Sequence, residues 1–230
     1  MGTEPLAVAS GSISMKSSGR YRNRFRPAVV NRLLGQSRAN VFPSNKKSFW
    51  WCLAIVSVLA VTAVELHLQG RSWWCACGRA FLWTSDAWGS LTSQTFLDPY
   101  SLTHVLHGLI ICGLLTLLTR RMPTVWRFFL AITTEAIWEL IENTNAIIQH
   151  YRAATAALGY QGDTVLNSLG DILCCGIGFI VARQLGWRRS LIVFFLTEAV
   201  LLIWIRDSLL LEIIMLVSPI NAIRVWQMGH

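Results

Sequence analysis

Residues 125–152 read VWRFFLAITTEAIWELIENTNAIIQHYR, an apolar run interrupted by Glu135, Glu139 and Glu142. Spacings of four and three residues stack these acids on one face of a helix. That face cannot look at lipid, because a charge at the bilayer centre costs about 3 kcal/mol on insertion scales. The acids therefore turn inward, where they pair, protonate or coordinate an ion. Neutral carboxylic acids acting as hydrogen-bonding groups between helices would satisfy the same constraint.

The surrounding chain sets the context for this segment. Hydrophobic residues make up 53% of the 230 residues and charged ones 14%, a balance too apolar for an ordinary soluble domain. Membrane spans need about 20 mostly apolar residues, and the candidates are 50–68, 102–118, 125–148, 165–185 and 191–217. The expected fold is an all-α, polytopic transmembrane helical bundle of about five spans, with outer segments near 69–100 and 149–163.

Residues 1–49 carry nine Lys or Arg against one acid, Glu4, a net charge of +8 that leaves residues 50–230 neutral overall. Rich in Ser, Asn, Gly and Arg and without apolar periodicity, this tail is expected to be disordered and held near anionic lipid headgroups on the cytoplasmic side. Nucleic acid is the other polyanion such a tail could meet, but no nucleic-acid partner is expected. Arg120, Arg121 and Arg127 flank the turn after the second span, and Arg183, Arg188 and Arg189 the turn after the fourth. By the positive-inside rule both turns and the N-terminus are cytoplasmic, and a bacterial inner membrane fits best.

Of six cysteines, Cys52, Cys112, Cys174 and Cys175 fall in spans, whereas Cys75 and Cys77 fall in the outer WWCACG stretch. A disulfide, free thiols or a metal pair are the readings of that CxC. Trp73, Trp74, Trp83 and Trp88 around it read as interfacial anchors.

Three further segments carry polar residues. LDPYSLTHVLHG (97–108) puts His104 and His107 about one turn apart. GDTVLNSLGD (162–171) repeats Asp163, Asn167 and Asp171 every four residues, with Gly170 and Gly176 suited to close helix contact. Asp163 also suits a helix cap. The last span holds Glu198, Arg206, Asp207 and Glu212.

Depth joins these segments. At 1.5 Å per residue, His104 and His107 lie roughly 3 to 8 Å from the outer end of their span and Asp163 to Asp171 within about 12 Å of theirs. Counted from the inner end, Glu139 and Glu142 stand about 21 and 26 Å along, and Arg206 about 23 Å. All four helices thus present polar groups in the outer half of the bilayer. Carboxylates crowded in one small dry space cannot all ionise, which makes some of them proton donors or acceptors. A divalent metal ion would relieve the same crowding. The candidate catalytic residues are Glu139, Asp163, Asp171 and His107; Arg206, Asn167 and His104 are the substrate contacts, and Glu135 and Glu142 the cavity wall.

The runs SLTHVLHG, ITTEAIWELIENT, HYRAATAALGYQGDTVLNSLGD and WIRDSLLLEIIML resemble an uncharacterised bacterial membrane protein family, family 0314, which carries a domain of unknown function. The likeness runs from roughly residue 50 onward and leaves the basic tail outside. It implies an integral inner-membrane protein and brings no established activity, substrate or cofactor. The chain also resembles the VanZ-like fold of glycopeptide resistance, in which a histidine, a glutamate and an aspartate followed by asparagine and glycine occur in successive spans. His104 or His107, Glu135 or Glu139, and Asp163 with Asn167 and Gly170 fill that order. The arginine expected immediately before the final aspartate is missing, and Arg152 stands well upstream instead. This second resemblance implies action on an envelope lipid or precursor.

Three functions fit these residues. The first is hydrolysis or group transfer on an anionic, lipid-linked substrate at the periplasmic leaflet. The second is transport of protons, ions or a small solute, which without an internal duplication would call for a homo-oligomer. The third is a non-catalytic subunit that stabilises or assembles a membrane-protein partner.

Overall fold

The computed structural model describes residues 46–119, 121–157 and 159–229. Nearly all of the basic tail, and Arg120, lie outside the described residues. The chain is all-α: α1 (Lys46–Leu68), α2 (Ser101–Leu118), α3 (Thr124–Glu142), α4 (Asn145–Ala154), α5 (Val165–Leu185), α6 (Trp187–Ile205), α7 (Leu209–Val217) and α8 (Asn221–Met228). Among the described residues, strand-like pairing is confined to one isolated bridge, Trp83 to Leu97.

Three helices, α1, α2 and α5, are long and apolar enough to cross a membrane. This is fewer than the five spans expected, and the reasons lie in the other two segments. The 125–148 run ends early, at Glu142. Asn143 leaves the helix, and the Thr144 hydroxyl accepts the Ile147 N–H to start α4; α3 itself carries Arg127, Glu135, Glu139 and Glu142. The 191–217 run is broken at Arg206, which takes a left-handed conformation (φ 53°) between α6 and α7. That region is uncommon for a residue with a Cβ. Large apolar side chains stand exposed on α1 (Trp50, Val56, Val61) and on α6 (Ile192, Phe195, Ile203), continuous apolar surface of the kind a membrane covers.

Helices α2 and α5 form the most extensive pair, and small residues set their separation. A methyl added at Gly108 would strike the Cys175 carbonyl, and one at Gly178 the Val105 carbonyl. Each helix thus lays a glycine on the other's backbone, as helices do where lipid supplies no hydrophobic drive to associate. Gly170 does the same against the Phe96 carbonyl, and Gly176 faces Ile132 and Phe128 of α3. Below this contact, Leu106, Phe128, Ile172 and Phe179 fill the core, with the two phenyl rings edge to face at 5.4 Å.

Segment 69–100 folds down onto the start of α5. The carbonyls of Ser72, Trp73 and Ser93 accept the N–H groups of Val165, Leu166 and Thr164. The first turn of a helix has no internal partner for its donors, so the segment satisfies them from outside. Asp98 performs the corresponding task for α2: its carboxylate accepts the N–H groups of Ser93 (2.7 Å), Tyr100 (2.9 Å) and Ser101 (3.3 Å). Of the four tryptophans expected as anchors, Trp73, Trp74 and Trp83 are exposed. Trp88 is half-buried and turned to the cavity described below.

Candidate functional site: a histidine and carboxylate cluster beneath a cavity

The close packing of α2 on α5 and the acidic face of α3 bring His104, His107, Glu135, Glu139 and Asp171 together. Glu135 Oε1 lies 2.6 Å from His104 Nδ1 and 2.8 Å from His107 Nδ1. An ionised carboxylate only accepts, so as a carboxylate Glu135 accepts a hydrogen bond from the Nδ1–H of each ring, which in the neutral imidazoles leaves both Nε2 atoms with free lone pairs. Glu139 Oε1 is 3.4 Å from His104 Nδ1. Asp171 Oδ2 is 3.9 Å from His104 Nε2, and its other oxygen accepts from Ser101 Oγ at 2.7 Å. Glu135 and Glu139 are sealed from solvent, at 1% and 0% exposure.

A second polar group adjoins the first. Asn143 Nδ2 donates to Asp163 Oδ2 at 2.9 Å, while Asn143 Oδ1 accepts the Asp163 N–H at 2.7 Å. Tyr160 donates its phenolic proton to Asp163 Oδ2 at 3.1 Å. Burial, reinforced by the Asp163 charge, pushes the Tyr160 phenol well above its ordinary range, so it remains a donor at neutral pH. Gly162, at φ +88°, makes the turn that delivers Asp163, in space bounded by Arg71 and Asn143.

Above both groups is a cavity of about 1300 Å³. His104, His107, Glu142, Asp163, Asn167 and Asp171 line its floor; segments 70–100 and 155–163 contribute the rim. Leu209, Ile213 and Leu216 of α7 form an apolar side wall. Cys75 and Cys77, joined by a disulfide, stand at the edge.

The sequence-derived residues divide accordingly. Asp163, Asp171, His107, His104, Asn167 and Glu142 reach the cavity, whereas Glu139 and Glu135 sit beneath its floor. Asp163 is not the cap of α5: Thr164 is, accepting the Asn167 N–H, which frees the Asp163 carboxylate for Asn143 and Tyr160. Arg206 does not line the cavity. Its guanidinium donates to the Trp226 carbonyl at 3.2 Å and lies 6.0 Å from the Trp226 ring; the helix break sends its side chain toward α8, while Asp207 faces the cavity. Glu198 accepts the Leu210 N–H and so links α6 to α7. Glu212 lines the cavity.

Two residues escaped the sequence reading. Among the described residues, Arg71 is the guanidinium on the lining, donating to the Gln161 carbonyl at 2.6 Å. Asn143 organises the second group. Arg71 sits one residue past Gly70 in a loop whose path is set by distant contacts. Asn143 was legible only as an asparagine closing an acidic helix.

A family model described as "Protein of unknown function (DUF2585)" matches residues 66–229, the part of the chain holding every residue of the cluster. The chain belongs to the DUF2585 family. DUF2585 relatives include a UPF0314 protein of Rhizobium meliloti (strain 1021), 39% identical over 184 residues, covering 80% of this chain and 93% of the relative. Another, from Paracoccus denitrificans (strain Pd 1222), is 40% identical over 178 residues, 77% of this chain and 91% of the relative. A third, from Sphingopyxis alaskensis, is 38% identical over 179 residues, 78% and 95% of the two chains. The DUF2585 match extends the expected resemblance to family 0314 into membership, and its function is unknown by its own description. No solved structure gives a significant match.

Proposed function

We propose that this chain is a multi-pass inner-membrane enzyme that hydrolyses, or transfers a group from, an anionic lipid-linked substrate at the periplasmic leaflet. The observation that carries this reading is His107: its ring is held by Glu135 at 2.8 Å and opens onto the cavity. A histidine oriented by a buried carboxylate is the arrangement of a general base. His107 takes a proton from water as the water oxygen bonds to the electrophilic centre of the substrate. The bond to the leaving oxygen then breaks, and the His107 imidazolium supplies that oxygen with the proton it took from water, while the Asp163 carboxylate, held by Asn143 and Tyr160, faces the same space. Asp171 and Asn167 position the polar end, with Arg71 in place of Arg206 as its cationic contact. The apolar wall of α7 suits the lipid end.

Five crossings and a cytoplasmic N-terminus belong to the same reading. They are supported by apolar side chains of α3 and α6, among them Trp126, Ile137, Ile192 and Ile203, exposed on the outside of the bundle, and by the arginines at 121, 188 and 189.

The test incubates the purified full chain, in mixed micelles, with a total envelope lipid extract and follows lipid species by mass spectrometry. Wild type should consume an anionic lipid and release its head group, and His107→Gln should slow this by about 10²- to 10⁴-fold. A folded wild-type protein that neither retains nor consumes any lipid would move the assignment to a non-catalytic assembly subunit.

A further inference from the structure

The cluster contains a carboxylate that hydrogen bonding does not explain. Both oxygens of Glu139 are buried without a hydrogen-bond partner among the described residues, and the residue is fully shielded. Its one charged-group contact among the described residues is His104 Nδ1 at 3.4 Å, a nitrogen already engaged by Glu135, and a buried carboxylate without hydrogen bonds is costly to leave so. Around it, ligand-capable atoms of His104, Glu139 and Asp171 all lie within 4.8 Å of one another, as do those of Glu139, Glu142 and Asp163. Glu139 is common to both sets.

We infer that His104, Glu139 and Asp171 bind a divalent transition-metal ion of the zinc or manganese class. The inference concerns the cluster alone and holds whether or not the cavity is catalytic. Three arguments select this trio. First, Glu135 occupies Nδ1 of His104, which fixes the tautomer with the Nε2 lone pair toward Asp171; a histidine ligand whose other nitrogen is held by a carboxylate is the usual second layer of a metal site. Second, the Nε2 to Oδ2 separation of 3.9 Å needs only a small closure to reach the roughly 3.4 Å between ligand atoms of a tetrahedral ion with bonds near 2.1 Å. Third, Ser101 holds the other Asp171 oxygen and leaves Oδ2 for the ion. The alternative set, His104, His107 and Glu135, already spends its shared oxygen on two ring nitrogens and serves as the orienting layer. One nitrogen and two carboxylates suit first-row divalent ions. Three protein ligands leave a coordination position toward the cavity, onto which His104 and Asp171 open.

The experiment uses the full chain in detergent, stripped with chelator and titrated separately with Zn²⁺ by calorimetry and with Mn²⁺ by loss of the free-ion electron paramagnetic resonance signal. One ion per chain, with a rise in melting temperature on loading, is expected for at least one of the two. Glu139→Gln and Asp171→Asn should weaken binding by more than about 100-fold, and Glu135→Gln by about 10- to 100-fold as an orienting partner. Glu212→Gln, a cavity acid outside the trio, should leave binding unchanged. No saturable binding by wild type overturns the inference, and so does equal weakening by Glu212→Gln, which marks diffuse attraction to an acid-rich cavity. If Glu139→Gln does not fold, Asp171→Asn and the wild-type titrations still decide. Stoichiometric metal in a protein inactive toward lipid would sink the enzyme reading alone; lipid turnover unaffected by chelation and reloading, without bound metal, would sink this one alone.

Discussion

Asn143 and Asp163 bind each other twice, Nδ2 to Oδ2 at 2.9 Å and backbone N–H to Oδ1 at 2.7 Å, across 20 residues of chain. Both are buried. The pair pins the turn at Gly162 to the end of α3 and so holds the start of α5 beside the acidic face.

Truncating Asn143 to alanine leaves the Asp163 N–H and one of its carboxylate contacts unmet. The expected cost is about 1 to 3 kcal/mol for each buried group left unpaired, read as a lower melting temperature of the detergent-solubilised protein. An unchanged melting temperature would show that the pair does not anchor the turn.

Glycine substitutions in α2 should separate sharply by position. Gly108→Ala drives a methyl into the Cys175 carbonyl and should destabilise by roughly 1 to 3 kcal/mol through overpacking. Gly113 in the same helix has nothing within 4 Å of an added Cβ, so Gly113→Ala should be neutral or stabilise by up to about 1 kcal/mol. Equal effects at the two sites would contradict the close α2 to α5 contact.

Asp98 gives a pH signature. Burial raises its carboxyl above the ordinary value, against the opposing bond from the Ser93 N–H. A carboxyl with a raised folded-state pKa contributes stability that is fully present below its unfolded value and is lost as pH rises through the folded one. Asp98→Asn should therefore lower stability by removing an acceptor at the start of α2, yet flatten the decline from about pH 4 upward. Parallel profiles for the two proteins, measured by thermal denaturation across pH, would refute this.

The proposed topology is checked by single cysteines in a background lacking the native ones. In intact cells, an impermeant maleimide should label a cysteine at Thr84 and spare those at Arg121 and Arg188 until the membrane is opened. Labelling at Arg188 before opening would place α6 the other way round.

Much of this arrangement was legible because it follows from periodicity. Residues spaced four and three apart on α3, four apart on α5 and three apart on α2 share faces, and lipid excludes those faces, so the sequence calls for His107, Glu139, Asp163, Asp171 and Arg206 around one cavity, with His104, Asn167, Glu135 and Glu142 in its wall; Arg206 is the one that lies apart from it. Periodicity says nothing about where a helix stops. The end of α3 at Glu142 depends on Asn143 bonding to a residue 20 positions away, and the break at Arg206 is a single backbone conformation. That one break decided which way the arginine pointed, and it removed Arg206 from the cavity while Arg71 took its place. Capping was misread for a similar reason: Asp163 and Thr164 are both plausible caps by type, and only the pull of Asn143 and Tyr160 on the aspartate separates them.

The carbonyls of Ser72, Trp73 and Ser93 that cap the start of α5 come from chain made long before it. At about 5 to 20 residues per second, synthesis reaches Val165 roughly 5 to 20 s after Trp73. During that interval segment 69–100 has no α5 to rest upon, and the donors it will satisfy do not yet exist. The rim of the cavity is therefore expected to order only once α5 is inserted, closing over the cluster then, and a nascent chain halted before residue 164 should expose that segment to protease.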